Sequence, residues 1–249
     1  MTKSNFCPAP WYHMSTDVNG SIRPCCRYKQ PLGSNNDGQE KHKMPWMYTN
    51  TLEKHWNGPE FKKLRKAFIN DEKPPECEWC WREEDMGIKS YREDLIQKIQ
   101  TQHITKDVAT EEADPPTSFD LKLSNVCNLK CRMCGPMLSS GWVTEARKQG
   151  KVEPWMEKPV KKAIETCQKD QVEAEFAQAV EEHRIEEVYW VGGEPLMYEQ
   201  HWRYMQRIID LGDGPGLYAR YNTNLSRVDY RGVNLYKDIL ANIRDWQIC

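Results

Sequence analysis

Residues 119–134 read Phe119-Asp120-Leu121-Lys122-Leu123-Ser124-Asn125-Val126-Cys127-Asn128-Leu129-Lys130-Cys131-Arg132-Met133-Cys134, and the rest of the chain is read outward from them. Phe119 to Ser124 reads as a strand, so the cysteines fall on the loop leaving its C-terminal end. Three thiolates spaced C-x3-C-x2-C can hold three irons of a 4Fe–4S cube while the fourth iron has no protein ligand nearby. An unfilled iron suits a cluster that binds and activates a substrate or cofactor, whereas four cysteine ligands suit one that only carries electrons. Taken alone, the spacing also fits a partial zinc site.

The surrounding composition narrows the setting. The chain has 249 residues, 35 Lys and Arg against 37 Asp and Glu, 39% hydrophobic residues and ten cysteines. That length is ample for one large or two small cores, and interspersed charge of both signs argues against a nucleic-acid-coating surface. There is no 18-residue apolar run and no apolar signal-peptide core at the start, which predicts a soluble cytoplasmic protein without a membrane partner. In a reducing compartment ten thiols call for metal or catalysis rather than disulfides. All but Cys167 and Cys249 fall into two sets with metal-ligand spacing; Cys167 reads as a small buried hydrophobe, and no His pair or cluster has zinc spacing.

After residue 117 strands and helices alternate, as in parallel α/β units. Strands are expected at Phe119–Ser124, Glu187–Val191, Leu217–Asn222 and Asp245–Cys249, and helices at Leu138–Lys148, Lys161–His183 with breaks, and His201–Leu211. Before it, Trp11 to Arg27 reads as strands around an Asp17-Asn19-Gly20 turn, Gly33–Lys43 as a polar loop, and Glu60–Ile69 as a helix ended by Lys73-Pro74-Pro75. A further helix begins near Ser90 and carries Leu95, Ile96 and Ile99. Thr105–Thr117, with Pro115-Pro116, reads as a linker, giving domains 1–104 and 118–249.

The second strand ends in Tyr189-Trp190-Val191-Gly192-Gly193-Glu194-Pro195 and the third in Tyr221-Asn222-Thr223-Asn224-Leu225. With the CxxxCxxC motif, Met133 before its last cysteine and Asn128 after its first, this order resembles the radical S-adenosylmethionine (SAM) superfamily. The resemblance implies a 4Fe–4S cluster on Cys127, Cys131 and Cys134. It also implies a SAM site at Gly192, Gly193, Glu194 and Pro195, the family's GGEP motif at the methionyl amino group, with Asn224 beside it. Physically, two glycines allow close backbone approach to a ligand, and a carboxylate suits an ammonium. Standing alone, GGEP is also a plain strand-end turn.

Cys7 with Pro8, Pro10 and Trp11, then Gly20 and Pro24-Cys25-Cys26, resembles the start of SPASM and twitch auxiliary-cluster modules, and Cys77-Glu78-Trp79-Cys80 completes four ligands. Two sit on a hairpin and two on a tight turn. Four thiolates accept zinc as well as an iron–sulfur cluster; the resemblance favours an auxiliary 4Fe–4S cluster on Cys7, Cys25, Cys77 and Cys80, with Cys26 the alternative to Cys25. Glu83, Gly87, Ser90 and Arg92 resemble the polar tail of such modules and also read as a solvated helix face. The module usually follows the core; here it precedes it, as in the family members with an N-terminal twitch-like module.

A βα unit takes about 30 residues or more, and Asn125 to Glu186 is spent in one connection. The expected fold class is therefore α/β: an incomplete radical SAM partial (β/α) barrel of about three βα units, preceded by a small α+β Cys-rich twitch-like domain. The terminal apolar run Asp245–Cys249 should be buried and followed by more structure, so the chain reads as C-terminally truncated, its activity alone in doubt. The implied function is an oxidoreductase-type radical SAM enzyme that reductively cleaves SAM to a 5′-deoxyadenosyl radical for hydrogen abstraction from a peptide or small-molecule substrate. Its partners would be SAM and a one-electron donor such as a flavodoxin or ferredoxin. The competing reading is a non-catalytic zinc-binding interaction protein with a four-cysteine ribbon and a degenerate half-barrel.

Overall fold

The computed structural model describes residues 5–19, 21–29, 52–101 and 110–249. Gly20, the Gly33–Lys43 loop and residues 105–109 lie outside them, as do the side chains of Ile99 and Cys167. The described residues fall into two compact units, those within Met1–Ser15 and Ile22–Pro116 and those within Thr16–Ser21 and Thr117–Cys249. Among the described residues no helix is long and apolar enough to cross a membrane.

In the first unit a single helical turn, α1 (Ala9–Tyr12), starts at Pro8 and carries Pro10 within its first turn, where the missing N–H costs no helical bond. It runs into β1 (His13–Thr16), which pairs with β2 (Ile22–Arg23). After α2 (Leu52–Trp56) comes α3 (Pro59–Ile69), whose Phe61, Leu64 and Phe68 recur at helical spacing and are buried. Asn70 caps α3 and Asp71 takes a left-handed φ of 59° before Lys73-Pro74-Pro75 forbids continuation.

Arg65, on the same buried side, donates to the carbonyls of Pro10 and Glu111 and to Asn57 Oδ1, with its guanidinium over Trp56. The carbonyls of Thr110 and Asp114 accept the indole N–H groups of Trp11 and Trp56. Residues 110–116, expected as part of a linker, are thus strapped to the first unit by hydrogen bonds. Two further helices belong to it, α4 (Glu78–Asp85) and α5 (Tyr91–Thr101). Ser90 and Glu93 form a reciprocal capping box at the start of α5, Glu93 N–H to Ser90 Oγ at 3.1 Å and Ser90 N–H to Glu93 Oε2 at 3.2 Å.

The second unit holds parallel strands β3 (Ser118–Leu121), β4 (Glu187–Trp190) and β5 (Tyr218–Tyr221), then a hairpin of β6 (Asp229–Tyr230) and β7 (Val233–Asn234), and last β8 (Asp245–Ile248). The parallel order is β3-β4-β5-β8, with Leu121, Trp190, Tyr221 and Ile248 level. The strands end earlier than expected: β3 stops at Leu121, so Lys122–Ser124 belong to the loop. The helices are α6 (Ser140–Lys148), α7 (Lys158–Cys167), α8 (Ala174–Glu181) and α9 (Glu199–Asp210). A π-helical turn, Gln168–Glu173, is the break within the long helical stretch.

Phe176 of α8 packs edge-on against Phe119, Trp190 and Tyr204, their ring centres 5.2 to 6.0 Å away. With Val188, Ala219, Tyr221, Met205 and Ile208 these residues are the core of the unit. β8 departs from expectation. Asp245, Trp246 and Gln247 are exposed, Trp246 by 42%, because β8 is the last strand of the order and its residues lack the cover that Trp190 and Tyr221 have.

Candidate functional site

Level parallel strands send their following loops out at one edge of the sheet. The loops after Leu121, Trp190 and Tyr221 are the ones bearing Cys127, Cys131 and Cys134, then Gly192 to Pro195, then Thr223 and Asn224. The structure brings the three sequence motifs together.

The cysteine loop is closed on itself by its polar residues. Asn125 donates through Nδ2 to the Pro136 carbonyl at 2.8 Å and accepts the Ser140 N–H at 2.7 Å, and Ser139 Oγ donates to the Leu129 carbonyl at 2.7 Å. Within it Cys131 is exposed and Cys127 and Cys134 are half-buried. Burial, with the neighbouring Cys131 and Cys127, raises the Cys134 thiol above its ordinary value; the three sulfurs are electrostatic neighbours. Met133 is 92% exposed. Trp142 lies beside the loop, its indole N–H on the Cys131 carbonyl at 3.0 Å. Trp190 is wholly buried and donates to Met205 Sδ.

The two glycines also admit a close approach within the chain itself. A Cβ on Gly193 would stand 2.1 Å from the Val126 carbonyl oxygen, and one on Gly192, whose φ is +120°, 2.7 Å from the Ser124 oxygen. What approaches is the backbone of the cysteine loop. Gly193 N–H donates to the Ser124 carbonyl at 2.9 Å and Glu194 N–H to that of Val126 at 2.8 Å. Tyr198, which no motif singled out, reinforces the seam: its hydroxyl accepts from Gly193 N–H at 2.7 Å and donates to the Ser124 carbonyl at 2.5 Å. Its only sequence signal is its place shortly after Pro195. Pro195 is buried and opens a short 3-10 turn.

Glu194 is 1% exposed, and its oxygens are engaged by the chain itself. Oε1 accepts from Leu196 N–H at 3.0 Å and the Thr223 hydroxyl at 2.6 Å, and Oε2 from Asn224 N–H at 2.7 Å. A buried carboxylate is tolerable with this many donors. Asn224 in turn places its Nδ2 3.0 Å from Asn128 Oδ1 and 3.9 Å from Cys127 Sγ. A chain of contacts thus runs from the GGEP loop through the third loop to the first cysteine.

In the first unit Cys7, Cys25, Cys77 and Cys80 line one pocket, together with Arg27, Tyr28 and Arg92 among others. Cys26 is exposed and does not line it. Cys77 ends a 3-10 turn and Cys80 lies in the first turn of α4, so the CxxC pair spans a helix start rather than a tight turn. Burial pushes the Cys7 thiol up to about 12 and raises those of Cys25, Cys77 and Cys80. Three of the four sulfurs receive a backbone N–H, Cys7 from Ala9, Cys25 from Arg27 and Cys80 from Arg92, the donors that stabilise sulfur charge in iron–sulfur sites.

Thiolate sulfur is the usual ligand of iron–sulfur clusters, so the donor chemistry of both cysteine sets fits them. The reading of Ser90 and Arg92 as a solvated face is corrected: both are buried, Arg92 because it lines this pocket and Ser90 because it hydrogen-bonds Glu84 and Glu93.

Comparison with known families matches residues 121–246 to the radical SAM superfamily. The chain belongs to the radical SAM superfamily. Residues 7–81 match SPASM, an iron–sulfur cluster-binding domain, here N-terminal to the radical SAM domain. No curated protein and no solved structure matches the chain. Radical SAM membership makes it an enzyme, with SAM and a 4Fe–4S cluster as its cofactors and an auxiliary iron–sulfur cluster in the SPASM domain. The non-catalytic zinc reading is set aside on that ground.

Proposed function

We propose that this radical SAM enzyme reductively cleaves SAM at the second unit, with Cys127, Cys131 and Cys134 holding the 4Fe–4S cluster and Gly192, Gly193, Glu194, Pro195 and Asn224 forming the SAM site. Cys7, Cys25, Cys77 and Cys80 hold the auxiliary cluster, also of 4Fe–4S type. Residues 1–104 are the auxiliary module, 118–249 the core segment, and 105–117 join them. The bound cluster and SAM supply the chemistry, one-electron reduction of the sulfonium to release a 5′-deoxyadenosyl radical that takes a substrate hydrogen.

The chain's own residues position. Glu194 fixes Thr223 and Asn224 by accepting their hydroxyl and N–H, and Asn224 orients toward Asn128 and Cys127. Gly192 and Gly193, lacking Cβ atoms, let the cysteine loop seat against the GGEP loop. The observation that carries this reading is that junction: Asn224 Nδ2 lies 3.0 Å from Asn128 while its N–H binds Glu194 at 2.7 Å. The substrate is a peptide or small molecule, a peptide oxidation or cross-link foremost, and the electron donor a flavodoxin or ferredoxin. A peptide qualifies only if 5′-deoxyadenosine forms in step with a mass change in it.

Anaerobic reconstitution tests the assignment. The expected result is brown protein with about eight irons, two cubes, and Cys131→Ala that loses about four of them together with SAM cleavage. Colourless protein with stoichiometric zinc would overturn it.

A further inference from the structure

Arg92 is 4% exposed and lines the pocket of the four cysteines. Its guanidinium is fixed on three sides. Nε and Nη2 donate to Glu84 Oε1 and Oε2 at 2.8 and 2.6 Å, Nη1 donates to the Phe6 carbonyl at 2.7 Å, and the group lies 4.8 Å from the centre of the Trp81 ring. Ser90 Oγ donates to Glu84 Oε1 at 2.6 Å, so the capping residue of α5 also holds the counter-ion. The Arg92 backbone N–H meets the Cys80 sulfur, and Phe6 immediately precedes Cys7. One residue therefore touches the backbone that carries the first ligand and the sulfur of the last.

A buried ion pair is a poor source of stability, because desolvation offsets its attraction and apolar replacement is often neutral or better. Its placement here suggests another role. Arg92 lines the pocket and Glu84 does not; the Arg92 charge acts on Cys7, ahead of the opposing charge of Glu84, and on Cys77, while Glu84 acts on Cys80. A cluster with four thiolate ligands is anionic and gains one further negative charge on reduction, and its potential follows nearby charge and hydrogen bonds to sulfur.

Resting on the assignment of the auxiliary cluster to Cys7, Cys25, Cys77 and Cys80, we propose that Arg92 is a positioning residue for electron transfer, its guanidinium, oriented by Glu84, raising the cluster's reduction potential. The step is uptake of one electron from an external one-electron donor by the cluster, with no bond broken and no proton moved. Arg92 stabilises the reduced form more than the oxidised form, and Glu84 moderates it.

The test uses the full chain with Cys127, Cys131 and Cys134 each changed to Ser, so that only the auxiliary cluster assembles, and an anaerobic dithionite titration followed by electron paramagnetic resonance. Arg92→Met is expected to shift the reduced-to-oxidised ratio at fixed potential about tenfold toward oxidised, a midpoint lower by about 59 mV. Arg92→Lys, which keeps the charge, is expected to restore most of this, and Glu84→Gln, which removes the counter-charge, to move the midpoint upward. A parent protein that assembles no cluster overturns the four-thiol assignment itself. Loaded Arg92→Met and Glu84→Gln with unchanged midpoints overturn the tuning role and leave the assignment standing. If Arg92→Met does not assemble, Glu84→Gln decides: an upward shift supports the proposal and no shift overturns it.

Discussion

Glu194 Oε2 accepts the backbone N–H of Asn224 at 2.7 Å while its Oε1 accepts the Thr223 hydroxyl at 2.6 Å, so a carboxylate at the end of β4 holds the loop that follows β5. Removing it takes the acceptor from these part-buried donors and from the buried Leu196 N–H, at a cost of about 1–3 kcal/mol for an unsatisfied buried group. Glu194→Ala is expected to lower unfolding free energy by about that much and to weaken SAM binding at least tenfold. Urea titration and equilibrium dialysis with labelled SAM measure the two; unchanged SAM affinity would show that Asn224 needs no such support.

Gly193→Ala places a methyl 2.1 Å from the Val126 oxygen, whereas a Cβ on Gly135 meets nothing within 4 Å. The first substitution is expected to unseat the cysteine loop, so that reconstituted protein loses about four of about eight irons. Gly135→Ala, next to Cys134, is expected to keep full iron content. Equal iron in the two variants would count against the packing role of Gly193.

The two neighbouring cysteines separate cleanly. Cys25 lines the buried pocket and Cys26 is exposed. Cys25→Ser is expected to remove the auxiliary cluster, read as a loss of about four irons, and Cys26→Ser to leave it intact. The opposite pattern would exchange their roles.

His201 is fully buried in the second unit, its ring 4.9 to 5.4 Å from those of Trp202, Trp190 and Tyr221, and burial drops its pKa to about 3. The folded state therefore holds it neutral while the unfolded chain takes up a proton near 6.5. Below that pH the unfolded state binds more protons, so this contribution is complete above about 6.5 and is lost as pH falls toward 3, at up to about 1.4 kcal/mol per unit. Urea unfolding between pH 7.5 and 5.5 should show a shallower slope in His201→Phe than in the parent. Parallel slopes would place the acid sensitivity elsewhere.

The two iron–sulfur domains were legible because thiol chemistry depends on local spacing: C-x3-C-x2-C at a strand end and C-x2-C with an upstream Pro-Cys are patterns written along the chain, and both stretches match such families. The succession of strands and helices was legible for a similar reason, since short apolar runs and helical periods are read locally. The purposes of Gly193, Glu194 and Arg92 were not. Gly193 is glycine because of Val126, Glu194 is satisfied by residues from the next loop, and Arg92 is buried because a cysteine pocket and Glu84 surround it. Each of those neighbours is distant in sequence or hidden behind a helix turn, and no local pattern encodes the contact.

By itself, then, the amino-acid sequence determined the cysteine spacing, the succession of parallel strands and the family with its cofactors. Tertiary structure decided which cysteine of the Cys25-Cys26 pair faces inward, which backbone fills the space left by two glycines, and where the charge of Arg92 points. The reason is physical. Ligand identity is a property of a side chain, whereas burial, close approach and the direction of a charge exist only once separate segments have packed.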